Sequence, residues 1–214
     1  IKLTQMGLDL GDDLCEDIAA GLVGKAKELG TFVRVDMEGS AYTERTIGIF
    51  ERLRRRFDNV GIVLQAYLRR TLDDVRRLAA QGTNVRLCKG AYLEPEAVAF
   101  PTMGEVDRNY LACSEILLTD GSLAKGTRPC FATHDPAMVD GVKDIARKHG
   151  VAKDRFEMQM LYGIRRDLQM ALVKEGFMMR VYVPYGPQWY PYFMRRLAER
   201  PANLGFILRN AFRA

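Results

Sequence analysis

The chain alternates between short apolar runs and longer stretches in which apolar residues recur at the helical period. Short apolar runs bounded by turn residues predict strands, and they lie at 1–5, 32–37, 61–67, 84–89, 129–134, 155–161 and 179–184. The predicted helices lie at 12–29, 42–57, 71–82, 105–119, 136–149, 165–176 and 188–199. One helix follows each strand, and this alternation favours an α/β fold with a parallel sheet.

Residues at the predicted helix ends agree with these boundaries. Thr71 precedes Asp73 and Asp74, so a hydroxyl cap followed by two acids is predicted to begin a helix. A glycine follows several predicted helix ends, as a left-handed C-cap requires. These glycines are Gly30, Gly82, Gly150 and Gly176.

Two parallel architectures are compatible with the alternation. A doubly wound dinucleotide-binding sheet is typically marked by G-x-G-x-x-G, and the sequence has neither this motif nor a Walker loop. A (β/α)8 TIM-barrel type repeats the unit eight times over ~250 residues. The 214 residues hold seven such units. We therefore expect a single barrel domain over 1–214, truncated at the N-terminus because residue 1 falls inside a predicted strand.

Composition and charge are ordinary for a soluble globular domain and favour neither a membrane-spanning nor a nucleic-acid-binding protein. Hydrophobic residues make up 48% and charged residues 28%, and no signal peptide or run of ~18 apolar residues occurs. The net charge is +5. The densest basic run, 54–56, shares its predicted helix with Glu44 and Glu51, which is typical of a solvated face. We expect a cytoplasmic protein with no nucleic-acid partner.

The cysteines and histidines do not form a metal-binding pattern. Cys15, Cys88, Cys113 and Cys130 include no C-x-x-C pair, and neither histidine is spaced to complete a zinc site. This usage indicates a reducing compartment and no structural metal.

Polar residues occur in the predicted strands, mostly towards their carboxyl ends, where parallel strands covered by helices would be apolar. They are Arg34, Asp36, Glu38, Gln65, Tyr67, Arg86, Lys89, Thr133, His134, Glu157, Gln159 and Tyr182. Internal salt bridges, for instance between Arg34 and Asp36, could account for any one of them, but a shared polar cavity accounts for the set. His134 taken alone is more typical of a structural hydrogen-bonding residue than of a catalyst.

The last predicted helix carries a polar face. Tyr192, Arg195, Arg196 and Glu199 stand at i, i+3, i+4 and i+7. An arginine pair beside a tyrosine suits a carboxylate, because guanidinium offers a planar donor fork, and Glu199 could hold the pair. A solvated Arg–Glu pair on a surface helix is the alternative.

Seven segments, in order along the chain, resemble the successive motifs of the proline dehydrogenase family, most closely its bacterial monofunctional type. They are 32–38, 64–68, 86–92, 133–134, 156–163, 180–186 and 192–197. The resemblance implies a (β/α)8 barrel that binds FAD and oxidises L-proline to Δ1-pyrroline-5-carboxylate by hydride transfer to flavin N5, with a quinone as the next acceptor. The helices and first strand that begin the family's barrel are missing from the pattern.

The resemblance also implies roles for individual residues. The catalytic set is Arg86 near flavin N5, Lys2 and Asp36. The substrate-binding set is Arg195, Arg196, Lys2, Glu199, Tyr92, Leu161, Tyr182 and Tyr192. The cofactor-binding set is Gln65, Arg86, Lys89, Gly90, Ala91, Thr133, His134, Gln159, Arg196 and Glu199.

Several alternatives stay open beside this reading. An incomplete or engineered barrel would bind flavin weakly or not at all and would not catalyse. A barrel enzyme acting on a phosphate or keto acid is disfavoured, because no glycine-rich phosphate loop follows the last strands. A basic membrane- or nucleic-acid-binding module is a further alternative. Peripheral contact with the inner face of a bacterial membrane and a homo-oligomer are both compatible with the resemblance.

Overall fold

A computed structural model describes residues 1–186. The predicted helix 188–199 and the predicted site residues Tyr192, Arg195, Arg196 and Glu199 lie outside the described residues. Strands and helices alternate as the apolar pattern predicts. The strands are β1 (Val33–Val35), β2 (Val60–Gln65), β3 (Val85–Cys88), β4 (Cys130–Ala132), β5 (Glu157–Leu161) and β6 (Met178–Tyr182). The helices are α1 (Asp12–Glu28), α2 (Ser40–Arg56), α3 (Thr71–Ala80), α4 (Met103–Leu117), α5 (Asp120–Ala124), α6 (Pro136–Lys148) and α7 (Arg166–Lys174).

The six strands form one sheet in the order β1-β2-β3-β4-β5-β6, and every neighbouring pair is parallel. Sequential order with a helix in each connection is the arrangement that a βα repeat produces. The predicted α/β fold with a parallel sheet is therefore confirmed. The prediction of seven units is wrong for residues 1–186, which contain six strands.

The missing strand is the one predicted at 1–5, where the structure has a 3-10 helix, Leu3–Met6. Ile1 still behaves as a strand residue, since its amino group donates to the Arg34 carbonyl at 2.7 Å and its carbonyl accepts from the Asp36 amide at 2.8 Å. These two bonds follow the pattern of a parallel ladder. The chain then turns, and Gly7 closes the helical turn in the left-handed region.

The two faces of the sheet differ in chemistry because side chains alternate along each strand. The face covered by the helices is apolar and holds the core, with Val35, Leu64, Leu87, Phe131 and Met158 all buried. The opposite face carries the polar residues of the strands. All four cysteines are free thiols.

Two helix boundaries differ from the prediction. The predicted helix 105–119 corresponds to α4, which ends two residues earlier, and a short helix that was not predicted, α5, follows it because Thr119 caps a new turn by accepting from the Ser122 amide. Thr71 does not cap α3. It is the first residue of that helix, and its hydroxyl donates to the Gln65 carbonyl at 2.5 Å. No helix within residues 1–186 has the length and apolarity to cross a bilayer.

The four helix-terminal glycines have positive φ, as predicted, and two of them allow a test of what that conformation costs. Gly30 (φ 64°) has open space where a Cβ would be added, whereas at Gly82 (φ 69°) an added Cβ would lie 1.9 Å from the Lys125 carbonyl oxygen. We expect G30A to lower the free energy of unfolding by about 1 kcal/mol through backbone strain alone. G82A should cost about 2–4 kcal/mol, because the steric clash adds to the strain. Urea unfolding of both variants measures the difference, and equal losses would contradict this packing of Gly82.

Candidate active site

The polar face of the sheet is arranged in rows set by the strand register. One row pairs Gln65 with Cys88, Cys88 with Ala132, Ala132 with Gln159 and Gln159 with Arg180. The row below it contains Arg86, Cys130 and Glu157. Register partners in a parallel sheet point to the same side, so residues from five strands meet on one surface. The polar strand residues in these rows therefore share one face of the sheet, and the polar cavity expected from the sequence stays a prediction.

Arg86 of β3 forms an ion pair with Asp36 at the carboxyl end of β1. Asp36 directly follows β1, and its carboxylate accepts from the Arg86 guanidinium. The two side chains are only 16% and 27% exposed, so the pair is partly shielded from water and holds the guanidinium in place. The Arg86 guanidinium carbon also lies 6.0 Å from the centre of the Tyr182 ring. The structure thus brings together three residues that the resemblance assigns to the site.

Gln65 ends β2 and is buried on the same face. Its amide nitrogen donates to the carbonyls of Met37 and Glu38, at 3.1 and 3.3 Å. Its carbonyl oxygen is buried and has no hydrogen-bond partner among residues 1–186. A buried acceptor without a partner is costly, so this oxygen is suited to a donor on a bound molecule.

Lys89 follows β3 and is held by two carboxylates from the helical layer. Its ammonium lies 2.5 Å from Asp107 on α4 and 2.7 Å from Asp135, the N-cap of α6. The following Gly90 packs so closely on the Tyr67 ring that an added Cβ would lie 2.1 Å from it. Lys89 therefore joins two helices to the strand end, in addition to the cofactor role predicted for it.

His134 follows Thr133 at the end of β4 and hydrogen-bonds across to β5. Its Nε2 accepts from the Leu161 amide at 2.9 Å, which requires the neutral ring with its proton on Nδ1. Burial, with a smaller contribution from the Arg165 charge, lowers the pKa of His134. Thr133 accepts from the Asp135 amide at 3.1 Å. Both residues shape the strand end through main-chain contacts.

Glu157, Gln159 and Arg180 form a connected group on β5 and β6. The Arg180 guanidinium makes two bonds to the buried Glu157 carboxylate, at 2.7 and 2.8 Å, and lowers the pKa of Glu157. Gln159 donates to the same carboxylate at 3.1 Å. A carboxylate only accepts, so the Gln159 amide nitrogen must face it and the carbonyl oxygen faces away.

Arg34 lies deeper, towards the amino end of the strands. Its guanidinium donates to the Asn84 side chain at 2.7 Å, to the main-chain carbonyls of Asn84 and Ile62 at 2.9 and 3.1 Å, and to the Cys130 sulfur at 3.5 Å. Burial lowers the pKa of Arg34. Arg34 and Asp36 therefore do not form the internal pair that the sequence allowed.

Lys2 and Tyr92 meet beside this surface. The Lys2 ammonium donates to the Tyr92 hydroxyl at 3.3 Å and lies 6.0 Å from the ring centre. These two side chains are 90 residues apart in the sequence, and both are half-buried. The contact joins a residue predicted to bind a carboxylate with one predicted to pack the substrate ring.

Sequence reasoning did not identify the partners that orient these side chains. They are Asn84, Asp107, Asp135 and Arg180. For Arg180 a signal was available, since it alternates with Tyr182 along one strand face. Asp107 lies within a helix, where a carboxylate on a polar helix face gives no indication of its partner.

The histidine geometry predicts a pH effect on stability. The pKa of His134 is lowered in the folded protein, so the histidine takes up a proton when the protein unfolds at a pH below about 6.5, its pKa in the unfolded chain. The free energy of unfolding therefore keeps its full value above that pH and falls as the pH drops below it. We expect H134Q, whose amide oxygen can still accept from the Leu161 amide, to lose less stability between pH 7.5 and 5.5 than the wild-type protein. Urea unfolding at the two pH values tests this, and equal losses would show that His134 is not buried in its neutral form.

The Glu157–Arg180 pair predicts a second effect. R180M leaves the Glu157 carboxylate, which is only 5% exposed, without its main partner. We expect the free energy of unfolding to fall by about 2 kcal/mol, less than for breaking a fully buried ion pair, because Arg180 is 65% exposed. The double variant E157M/R180M should recover part of this loss, since no unpaired charge stays buried.

The matched control is R147A, which removes an exposed pair with Asp144 and should cost no more than about 0.5 kcal/mol. The free energies of unfolding of R180M, E157M/R180M and R147A test whether an unpaired Glu157 carboxylate destabilises the protein. A double variant less stable than R180M would contradict the argument.

Comparison with known proteins places this chain in a family. The proline dehydrogenase family matches residues 6–209. The chain is 44% identical to proline dehydrogenase 2 of Bacillus subtilis (strain 168), with 98% of this chain and 67% of that protein covered. It is 44% identical to proline dehydrogenase of Deinococcus radiodurans, with the same shares covered.

A solved structure has the same fold. The crystal structure of proline utilization A (PutA) from Bdellovibrio bacteriovorus, inactivated by N-propargylglycine, superposes with a TM-score of 0.82 at 31% identity. The match covers 92% of this chain and 23% of that one, so the chain spans about two thirds of its curated relatives and about a quarter of the PutA protein. Because the family matches almost the whole length of the chain, this chain belongs to the proline dehydrogenase family.

Proposed function

We propose that this protein oxidises L-proline to Δ1-pyrroline-5-carboxylate, with FAD bound on the polar face of the sheet and a quinone as the final electron acceptor. The observation that carries the proposal is the guanidinium of Arg86, which Asp36 holds at the carboxyl end of the strands in a member of the proline dehydrogenase family. Carboxyl ends of strands are where enzymes with parallel βα repeats place their chemistry.

The residues on this face fit a flavin. The buried Gln65 carbonyl oxygen is an acceptor without a partner in the described part of the chain, and the oxidised flavin ring offers an N–H that such an oxygen can accept. Arg86 supplies a fixed positive charge suited to the negative charge that the ring gains on reduction. Gln159, Thr133, His134, Gly90 and Ala91 complete the proposed cofactor-binding set, with Lys89, Arg196 and Glu199.

We also propose that the six-stranded sheet is part of a (β/α)8 barrel. The sequential parallel order, the helix in each connection and the superposition on the PutA structure support this. In such a barrel the polar face of the sheet becomes the interior wall. The polar rows would then surround the cofactor instead of facing open solvent.

The substrate is proposed to bind by its carboxylate. Arg195, Arg196 and Lys2 would hold that group, with Glu199 orienting the two arginines, because paired guanidinium forks match the planar carboxylate. Tyr92, Leu161, Tyr182 and Tyr192 would pack against the ring. The contact between Lys2 and Tyr92 supports these two roles, because it places a proposed carboxylate-binding residue beside a proposed ring-packing residue.

The protein's contribution to the reaction is to orient the substrate and to provide fixed charge. When bound, the flavin would accept the hydride that leaves the ring carbon next to nitrogen, while the nitrogen loses a proton and a C=N bond forms. His134 is committed to the Leu161 amide through Nε2, so we assign it to holding the strand end and not to proton transfer. Arg86 and Asp36 keep their positions because each satisfies the charge of the other.

We propose a cytoplasmic location with peripheral contact at the inner face of a bacterial membrane. The support is chemical, since a quinone acceptor is dissolved in the bilayer and the protein must reach it. A homo-oligomer stays a prediction.

The visible absorbance spectrum, recorded before and after anaerobic addition of L-proline, tests the proposed function. We expect a flavin spectrum that bleaches on addition of proline. R86M should retain the flavin spectrum and bleach about a hundredfold more slowly, since it lacks a charge placed for the developing anion.

R76M is the matched control, because it removes an exposed arginine on α3, and it should bleach at the wild-type rate. A protein that stays colourless after incubation with FAD would overturn the proposed function. That result would favour the alternative of a barrel that does not catalyse. A bleaching rate in R86M equal to that of R76M would remove Arg86 from the catalytic set.

A further inference from the structure

The N-terminus of α2 is capped by a residue from another loop. Gly39 occupies the N-cap position and has no side chain to accept from the helix, and no acidic residue lies in the first turn. Glu94, in the loop between β3 and α4, takes this role. Its carboxylate accepts from the Ser40 amide at 2.6 Å and from the Ser40 hydroxyl at 2.5 Å. A carboxylate at this position satisfies a free N–H and lies at the positive end of the helix dipole.

The loop that supplies Glu94 also carries Tyr92, two residues earlier. Downstream, the loop is attached again by Arg69, whose side chain donates to the Glu96 carbonyl at 2.9 Å and whose amide donates to the Val98 carbonyl at 3.0 Å. Phe100 then donates its amide to the Tyr67 carbonyl at 2.8 Å. Residues 95–98 are exposed, and the side chain of Leu93, which lies between Tyr92 and Glu94, is fully exposed. Glu94 is therefore the attachment nearest to Tyr92 on its C-terminal side, and it ties the loop after β3 to the loop after β1.

We infer that Glu94 is a positioning residue, which fixes Tyr92 against the substrate ring by anchoring its loop to the N-terminus of α2. This rests on the proposed function, because the role of Tyr92 comes from there. A local Ser, Thr or Asp at position 39 would cap α2 as well. A cap supplied by a distant loop also orders that loop before substrate binds, which a local cap at position 39 would not do. Ordering the loop in advance lowers the entropy that binding must overcome.

Two variants and a matched control test the inference. E94A removes the cap, whereas E94Q keeps an oxygen that accepts from the Ser40 amide but loses the charge. Glu96 is an exposed carboxylate in the same loop, so E96A is the control for charge and loop composition.

We expect E94A to raise both the KM for L-proline and the Kd for tetrahydro-2-furoic acid by about fivefold, the effect of losing one cap. The kcat should stay within about twofold of wild type, because an interaction made equally in the ground and transition states affects KM alone. E94Q should fall between wild type and E94A, and E96A should match wild type. A stability loss in E94A with unchanged KM and Kd would overturn the inference and leave Glu94 as a structural cap only.

Hydrogen exchange without substrate separates this inference from the proposed function. In E94A the Ser40 amide and the amides of residues 91–94 and 96–98 should exchange faster than in E96A. If exchange accelerates but no variant, wild type included, reacts with proline, the anchor stands and the proposed function fails. If exchange in E94A equals that in E96A, the inference is wrong whatever the activity.

Discussion

The alternation of side chains along parallel strands in fixed register governs the arrangement of this molecule. One face of each strand supplies the apolar core under the helices, and the other face is left for polar residues. Because that second face is partly buried, every charge on it needs a partner. Asp36 serves Arg86, Arg180 serves Glu157, and Asn84 serves Arg34. The site is thus made of pairs whose members lie on, or directly beside, different strands, and the register of the sheet determines which residues can pair.

The repeating part of the fold follows from the sequence because periodicity directly reports the strand and helix faces. The segment 1–5 shows where this fails. Alternating apolar and polar residues fit a strand, but Leu3 reaches the core from a 3-10 turn instead, and only Ile1 completes the ladder. Thr71 shows a second failure. A hydroxyl that resembles a helix cap can instead donate to a carbonyl at the end of the preceding strand.

The site was predictable to the extent that its residues lie on strands. Strand position places Arg86, Gln65 and Glu157 on the polar face of the sheet without knowledge of their partners. Residues whose function depends on long-range packing leave no such pattern, as Asp107 and Glu94 illustrate, since each acts on an element far away in the sequence. The resemblance to a family supplied roles for single residues, and the geometry added the partners that hold them.

Cys88 lies on the polar face of the sheet, in the row between Gln65 and Ala132. Burial raises the pKa of its thiol to about 11, despite the opposing influence of Arg86. Peroxide attacks the thiolate and not the thiol, and at neutral pH almost none of the thiolate is present. Electron-transfer proteins can generate peroxide when oxygen intercepts their electrons. A cysteine in this position therefore fills space as a small apolar side chain and resists oxidative damage at the point where a redox cofactor would make it most exposed to attack.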